Sequence, residues 1–283
     1  MVLIKGMPGF FENKIVWITG ASSGIGEALA YELSKEGAVL ILSSRNESAL
    51  NRVTMNCQTS RENILVLPMD ISNIPEIESK TLLAIEKWGR IDFLIHNAGI
   101  AARDMIEDTD LSVYRAVMET NYFGPVALTK AVLPSMIRAK NGHFIVIASL
   151  SAKFGVPKLS AYAGSKHALL GFFNSLRLES GKKGIRVSIV IPGFINTSIL
   201  EKAVDGKGNI SGKNLSVNEK GMSAEQCAVR ILKAIKRGKQ ETLIGGSEIV
   251  SVYIHRFFPA IFNKVMANHP MKKLRQALPR FFK

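Results

Sequence analysis

The chain is expected to fold as an α/β protein, a doubly wound single parallel sheet flanked by helices, and three observations carry that expectation. Short apolar runs alternate with stretches of helical periodicity from Asn13 to Ile244, the pattern of parallel strands joined by right-handed crossovers. The first run passes at once into a glycine-rich turn that opens a helix. At 283 residues and 47% hydrophobic, the chain can bury one large core.

Asn13 to Thr19 reads as a strand buried on both faces. Gly20-Ala21-Ser22-Ser23-Gly24-Ile25-Gly26 follows, then a helix from Glu27 to Glu36 that stops at Gly37. Such a turn aims backbone N–H groups and a helix dipole at a phosphate, and its glycines allow close approach. A tight turn with no ligand is the alternative. Ala38 to Ser43 forms the second strand and ends in Ser43-Ser44-Arg45-Asn46. There an acidic residue would accept from a ribose 2′-hydroxyl, whereas a guanidinium suits a 2′-phosphate. NADP(H) is therefore expected over NAD(H), against the reading of Arg45 as a solvated loop cation.

A helix from Glu47 to Cys57 leads to a third strand, Ile64 to Asp70. Asp70 either accepts from an adenine amino group or caps the next turn. A helix from Ile74 to Trp88 and a strand from Ile91 to His96 bring the chain to Asn97-Ala98-Gly99, where a cofactor crossing the strand ends would pass. Asn121 falls in a long helical stretch ending at Lys140; its amide binds a water or a backbone carbonyl, or merely bends the helix. Gly142 to Ser149 and Ile185 to Ile191 supply two more strands. The second runs into Pro192-Gly193-Phe194-Ile195-Asn196-Thr197, with Thr197 in reach of a cofactor's amide or phosphates. A helix over Ser223 to Arg237 and a strand over Glu241 to Ile244 complete the pattern.

The proton chemistry points to Tyr162-Ala163-Gly164-Ser165-Lys166. Four residues apart on a helix, phenol and ammonium share a face. A free tyrosine, with a pKa near ~10, needs a positive field before its phenolate becomes accessible, and Lys166 supplies one. Ser149 lies far enough upstream for a loop to return its hydroxyl beside the phenol.

Cys57 and Cys227 show no metal or redox spacing, His96, His143, His167, His255 and His269 are scattered, and no metal site is indicated. Met1 to Phe11 does not read as a signal peptide, and no stretch approaches the ~20 apolar residues that cross a bilayer. The protein is expected to be cytoplasmic, soluble or peripheral at a membrane surface. The formal charge of +14 is concentrated in the tail: after Glu248 come Arg256, Lys264, Lys272, Lys273, Arg275, Arg280 and Lys283, and no acidic residue. Without stacking platforms on a recognised module, nucleic acid is not expected. The tail, rich in Phe, Ile and Val, reads either as a basic amphipathic segment at an anionic membrane or as a cover for the substrate pocket or a partner subunit.

Taken together these motifs resemble the short-chain dehydrogenase/reductase family over roughly Asn13 to Leu243. The match is nearest the subgroup that includes DHRS-type and hydroxysteroid dehydrogenases. The resemblance implies a Rossmann fold and makes Asn121, Ser149, Tyr162 and Lys166 a catalytic tetrad. It assigns cofactor contacts to Gly20, Ser22, Ser23, Gly24, Ile25, Gly26, Ser44, Arg45, Asn46, Asp70, Ile71, Asn97, Ala98, Gly99, Pro192, Gly193, Ile195 and Thr197, besides Tyr162 and Lys166. It further implies hydride transfer between a nicotinamide and a carbonyl or alcohol carbon, in a homodimer or homotetramer. His96 and Gly164 stand where asparagine and alanine are common. The expected organisation is a catalytic domain over residues 1–248, with a lid near residues 197–222, and a C-terminal extension over residues 249–283. Expected substrates are a steroid, retinoid or long-chain ketone. A 3-oxoacyl group on an acyl carrier protein is the alternative, and a cofactor-binding sensor without turnover is the alternative of another class.

Overall fold

The computed structural model describes residues 9–210 and 221–268. The start of the N-terminal segment, the middle of the expected lid, and the tail from His269 with its last five cations lie outside them.

The strands are β1 (Ile15–Thr19), β2 (Val39–Ser43), β3 (Ile64–Val66), β4 (Phe93–His96), β5 (Gly142–Ile147), β6 (Ile185–Pro192), β7 (Ile195–Asn196), β8 (Met222–Ser223) and β9 (Glu241–Ile244). The helices are α1 (Gly24–Lys35), α2 (Glu47–Asn56), α3 (Ile74–Trp88), α4 (Leu111–Met118), α5 (Gly124–Arg138), α6 (Ser160–Ser180), α7 (Ala224–Lys236), α8 (Val250–Phe257) and α9 (Pro259–Asn268). Seven strands form one parallel sheet in the order β3-β2-β1-β4-β5-β6-β9. The order reverses between β1 and β4, and in open α/β sheets that reversal opens a crevice at the carboxyl ends of the strands.

The sheet is buried on both faces, which explains why its strands read as unbroken apolar runs. Trp17, Ile41, Phe144 and Val146 face one core with Ile77 of α3, Leu128 of α5 and Phe173 of α6. Ile18, Leu40, Ile145 and Ile147 face the other, with Leu29 of α1, Leu50 of α2 and Ile231 of α7. The expected doubly wound architecture is the one observed.

The largest differences from the expected boundaries are three. β3 ends at Val66 rather than Asp70 because Pro68 has no N–H to give the ladder; Leu67 and Met69 still donate to Leu42 and Ser44. Helix α1 begins at Gly24, inside the glycine turn. The long stretch around Asn121 is two helices joined by a π-helical turn, Glu119–Phe123. Beyond β9, α8 and α9 fold back so that Phe262 and Met266 join the core beneath α6.

Two histidines are buried in this core. His143 Nε2 lies 2.9 Å from Ser188 Oγ, whose own proton goes to Lys239 O, so the imidazole is the donor and its Nδ1 is left bare. His96 bonds Thr129 through Nε2 and likewise leaves Nδ1 unpartnered. Burial holds both down to about 3, helped at His143 by nearby Arg186. Above pH 6.5 folded and unfolded chains hold the same neutral rings. As the pH falls from there toward 3, only the unfolded chain takes up the protons, so stability is lost. Between pH 7 and 5.5 the two sites together are expected to remove about 2–3 kcal/mol. Urea midpoints for the wild type and for His96→Asn/His143→Gln check this: the variant curve should be flatter, and parallel curves would clear the histidines.

Candidate active site

The carboxyl ends of β1, β4, β5 and β6 open into one cavity of about 710 Å³. All the expected cofactor and catalytic residues line it except Gly26 and Asn121, which stand directly behind its wall.

The glycine loop is built for close backbone approach. Gly20 has φ +66°, and a Cβ there would stand 2.8 Å from Ala98 Cα; at Gly26 it would meet Gly20 O at 2.3 Å. Gly26 therefore packs α1 against the loop, behind the cavity wall. Asn97 braces the same loop by donating from Nδ2 to Thr19 O and Gly20 O at 3.1 and 3.0 Å. Thr19 Oγ1 in turn accepts from the N–H groups of Asn97 and Ala98. Ser23 caps α1 without engaging its hydroxyl, which leaves that group and the first-turn N–H groups available to an anion. A dinucleotide pyrophosphate fits this cradle.

At the end of β2, Asn46 commits its side-chain oxygen to Ala49 N and Ser48 Oγ and so acts as the cap of α2. Ser44 Oγ bonds the backbone of Asn46. Arg45, which lines the cavity, has no hydrogen bond or ion pair to any described residue. Asp70 does cap the next turn, taking Ser72 N and Oγ on Oδ1 at 2.9 and 2.7 Å. Its second oxygen remains for a ligand. Ile71 also lines the cavity and is backed by α5, since a Cβ on Gly124 would meet Ile71 O at 2.3 Å.

The reaction end is assembled by β5 and α6. Tyr162 presents its phenol beside Ser149, and Lys166 Nζ lies 5.7 Å from the tyrosine ring centroid. Lys166 is buried and donates to Ile147 O at 3.0 Å. Burial pushes the Tyr162 phenol up to about 12, with the Ser149 hydrogen bond pulling the other way, and brings Lys166 down to about 8. Thus in the protein alone burial, not a lysine field, sets the phenol's direction. The lysine still holds its proton at neutral pH.

Asn121, fully buried in the π turn, gives both amide hydrogens away, to Ile100 O at 2.9 Å and Ser165 Oγ at 3.0 Å. Its Oδ1 accepts from Ile100 N at 2.8 Å. Gly99 lets this group close in, since a Cβ there would stand 3.2 Å from Asn121 Oδ1 and 3.6 Å from Lys166 Nζ. Across the cavity, Thr197 Cγ2 would be 3.1 Å from a Cβ on Gly24, so the Pro192–Thr197 loop overhangs the glycine turn.

On the substrate side the sequence points to the lid and the tail but not to the wall between them. That wall is apolar, from Leu150, Phe154, Val156, Leu159, Leu200 and Met266. Phe154, His255 and Phe262 form an aromatic cluster behind it. The segment after Thr197 leaves beside β7 and returns as its parallel partner β8. Its first part is docked rather than loose: Val204 exchanges backbone bonds with Ala101 and Arg103, and Lys207 pairs with Asp110 at 2.9 Å. Among the described residues, no helix is long and apolar enough to cross a membrane.

Comparison with known proteins agrees with this geometry. The family model described as short chain dehydrogenase matches residues 14–208. Dehydrogenase/reductase SDR family member 7B of Danio rerio is 37% identical over 269 residues, covering 93% of this chain and 87% of its own. Dehydrogenase/reductase SDR family member 7 of Homo sapiens is 39% identical over 253 residues, 87% of this chain and 75% of its own. Among solved structures, a short-chain dehydrogenase/reductase from Burkholderia phymatum in complex with NAD superposes with a TM-score of 0.77 at 21% identity, over 87% of this chain and 94% of that one. Levodione reductase superposes at 0.75 with 26% identity, over 84% and 98%. With the fold, the motifs and the relatives in agreement, this chain belongs to the short-chain dehydrogenase/reductase family of oxidoreductases.

Proposed function

We propose that the protein is an NADP(H)-dependent oxidoreductase that interconverts a lipophilic ketone or aldehyde and its alcohol. The observation that carries this reading is the single cavity joining the glycine cradle and Arg45 to Ser149, Tyr162 and Lys166 under an apolar wall. Apolar pockets with a few convergent polar groups favour ligands of the same character. A steroid, retinoid or long-chain ketone has that character.

Bound reduced nicotinamide supplies the hydride to the carbonyl carbon. Tyr162 Oη transfers its proton to the carbonyl oxygen, while Ser149 Oγ donates a hydrogen bond to that oxygen. The Lys166 ammonium stabilises the phenolate left behind, and its field fades as the pH rises through about 8. Asn121 holds the relay water through oxygen lone pairs, because its amide hydrogens are engaged. Gly20, Ser22, Ser23, Gly24 and Ile25 hold the pyrophosphate, Asp70 with Ile71 the adenine, and Ala98 with Gly99 the span between. Pro192, Gly193, Ile195 and Thr197 hold the nicotinamide.

The enzyme is read as cytoplasmic and as a homodimer or homotetramer; Leu111, Phe123 and Leu178 offer exposed apolar side chains on α4, the π turn and α6. Peripheral membrane contact falls to α8 and α9, where Tyr253, Phe257, Phe258 and Ile261 are 49–68% exposed beside Arg256 and Lys264. Sedimentation with anionic vesicles tests it: Phe257→Ser/Phe258→Ser should stay in the supernatant while the wild type pellets.

The function itself is tested by following NADPH and NADH oxidation over ketones from 3-oxoacyl esters and acyl-carrier thioesters to steroids and retinal. Turnover of apolar ketones with NADPH is expected, and insensitive to salt. Activity confined to acyl carriers, collapsing with salt, would replace the lipophilic substrate. Cofactor binding without turnover on any substrate would make the protein a sensor.

A further inference from the structure

Glu248, in the turn Ser247–Ile249 between β9 and α8, is a buried carboxylate with no cation near it among the described ion pairs. It lines the active-site cavity. Its Oε1 accepts from Phe194 N at 2.9 Å and Gly246 N at 3.0 Å, so one oxygen ties the loop after β6 to the turn after β9. The seat is cut to the carboxylate. A Cβ on Gly193 would fall 2.3 Å from Oε1, one on Gly245 2.6 Å, and one on Gly246 2.9 Å from Oε2. Ser251 Oγ secures the backbone beneath by donating to Glu248 O at 2.5 Å.

A buried carboxylate is stable only where hydrogen bonds compensate its desolvation, and here the Phe194 N–H provides one of its two backbone bonds, the Gly246 N–H the other. The coupling works in both directions: the loop offsets the burial of the carboxylate, and the carboxylate holds the loop in one conformation.

We propose that Glu248 is a positioning residue for the nicotinamide half of the cofactor site, preforming the Pro192–Ile195 loop against which that ring binds. This rests on the reading of the cavity as a nicotinamide dinucleotide site. The consequence is a split between the two halves of the cofactor. Without Glu248 the loop must be ordered at the moment of binding, which weakens any ligand that touches it, whereas the adenosine half, held at β1, β2 and Asp70, is untouched. Glutamine keeps an oxygen in the same place and spares the loop.

The test is calorimetric titration of wild type, Glu248→Ala and Glu248→Gln with the preferred dinucleotide and with its fragment lacking nicotinamide, ADP-ribose or 2′-phospho-ADP-ribose. Glu248→Ala should bind the whole dinucleotide at least tenfold more weakly and the fragment as well as wild type does; Glu248→Gln should resemble wild type for both. Should the alanine variant not fold, Glu248→Asp, with its carboxylate withdrawn by one methylene, should show the same split to a smaller degree. Equal losses for dinucleotide and fragment, no loss at all, or a glutamine variant as impaired as the alanine one would each overturn the proposal. If wild type binds no dinucleotide, the functional reading falls and takes this inference with it; if wild type binds and the alanine variant matches it, only the inference falls.

Discussion

Replacing Tyr162 with phenylalanine is expected to lower turnover by roughly 10²–10⁴-fold while leaving cofactor affinity nearly intact. The ring volume is kept, so the packing along α6 and the cation above the ring are undisturbed. What is lost is the hydroxyl that stands beside Ser149 with Lys166 in reach. A lysine held near 8 by burial cannot take over, since its bond to Ile147 O points it at the backbone of β5. Stopped-flow hydride transfer together with NADPH titration separates the two effects. Turnover retained in Tyr162→Phe would remove the phenol from the mechanism.

Arg45→Ala is the second large effect. A charge-assisted hydrogen bond contributes about 1.5–3 kcal/mol, which corresponds to a loss of roughly ten- to a hundredfold in NADPH affinity. NADH, with no phosphate at that position, should bind as before. The guanidinium has no competing partner among the described residues, so nothing has to be broken before it meets a phosphate. Adding Ser44→Asp should carry the preference over to NADH, because a carboxylate accepts from the free ribose hydroxyl and repels the phosphate. Equal affinity of the wild type for both cofactors would reduce Arg45 to a solvated cation.

The sheet was legible because strands buried on two faces need apolar residues at every position, a signal carried by each run alone. Pro68 was legible too, and the missing N–H should have ended β3 before it. Other features depend on partners far along the chain. Nothing around Glu248 announces that its carboxylate meets Phe194, 54 residues earlier. The apolar wall joins Phe154 to Met266 only after α9 has folded back. Asn97 and Asn46 line the cavity as expected, and they also brace the loop and cap a helix. Those added roles lie in side-chain direction, which spacing does not encode.

The π turn at Glu119–Phe123 bears on how this chain tolerates insertions and deletions. One surplus residue in a helix rotates everything beyond it by about 100°. Here the extra step lets Val113 and Val117 of α4 face Ala161 while Leu128 and Val132 of α5 face the main core. Deleting a single residue between 119 and 123 would make a more regular helix and a poorer protein. Asn121 would be swung away from Ile100, and one of the two apolar stripes would be turned to water. A length change harmless in most exposed loops is therefore forbidden at this site.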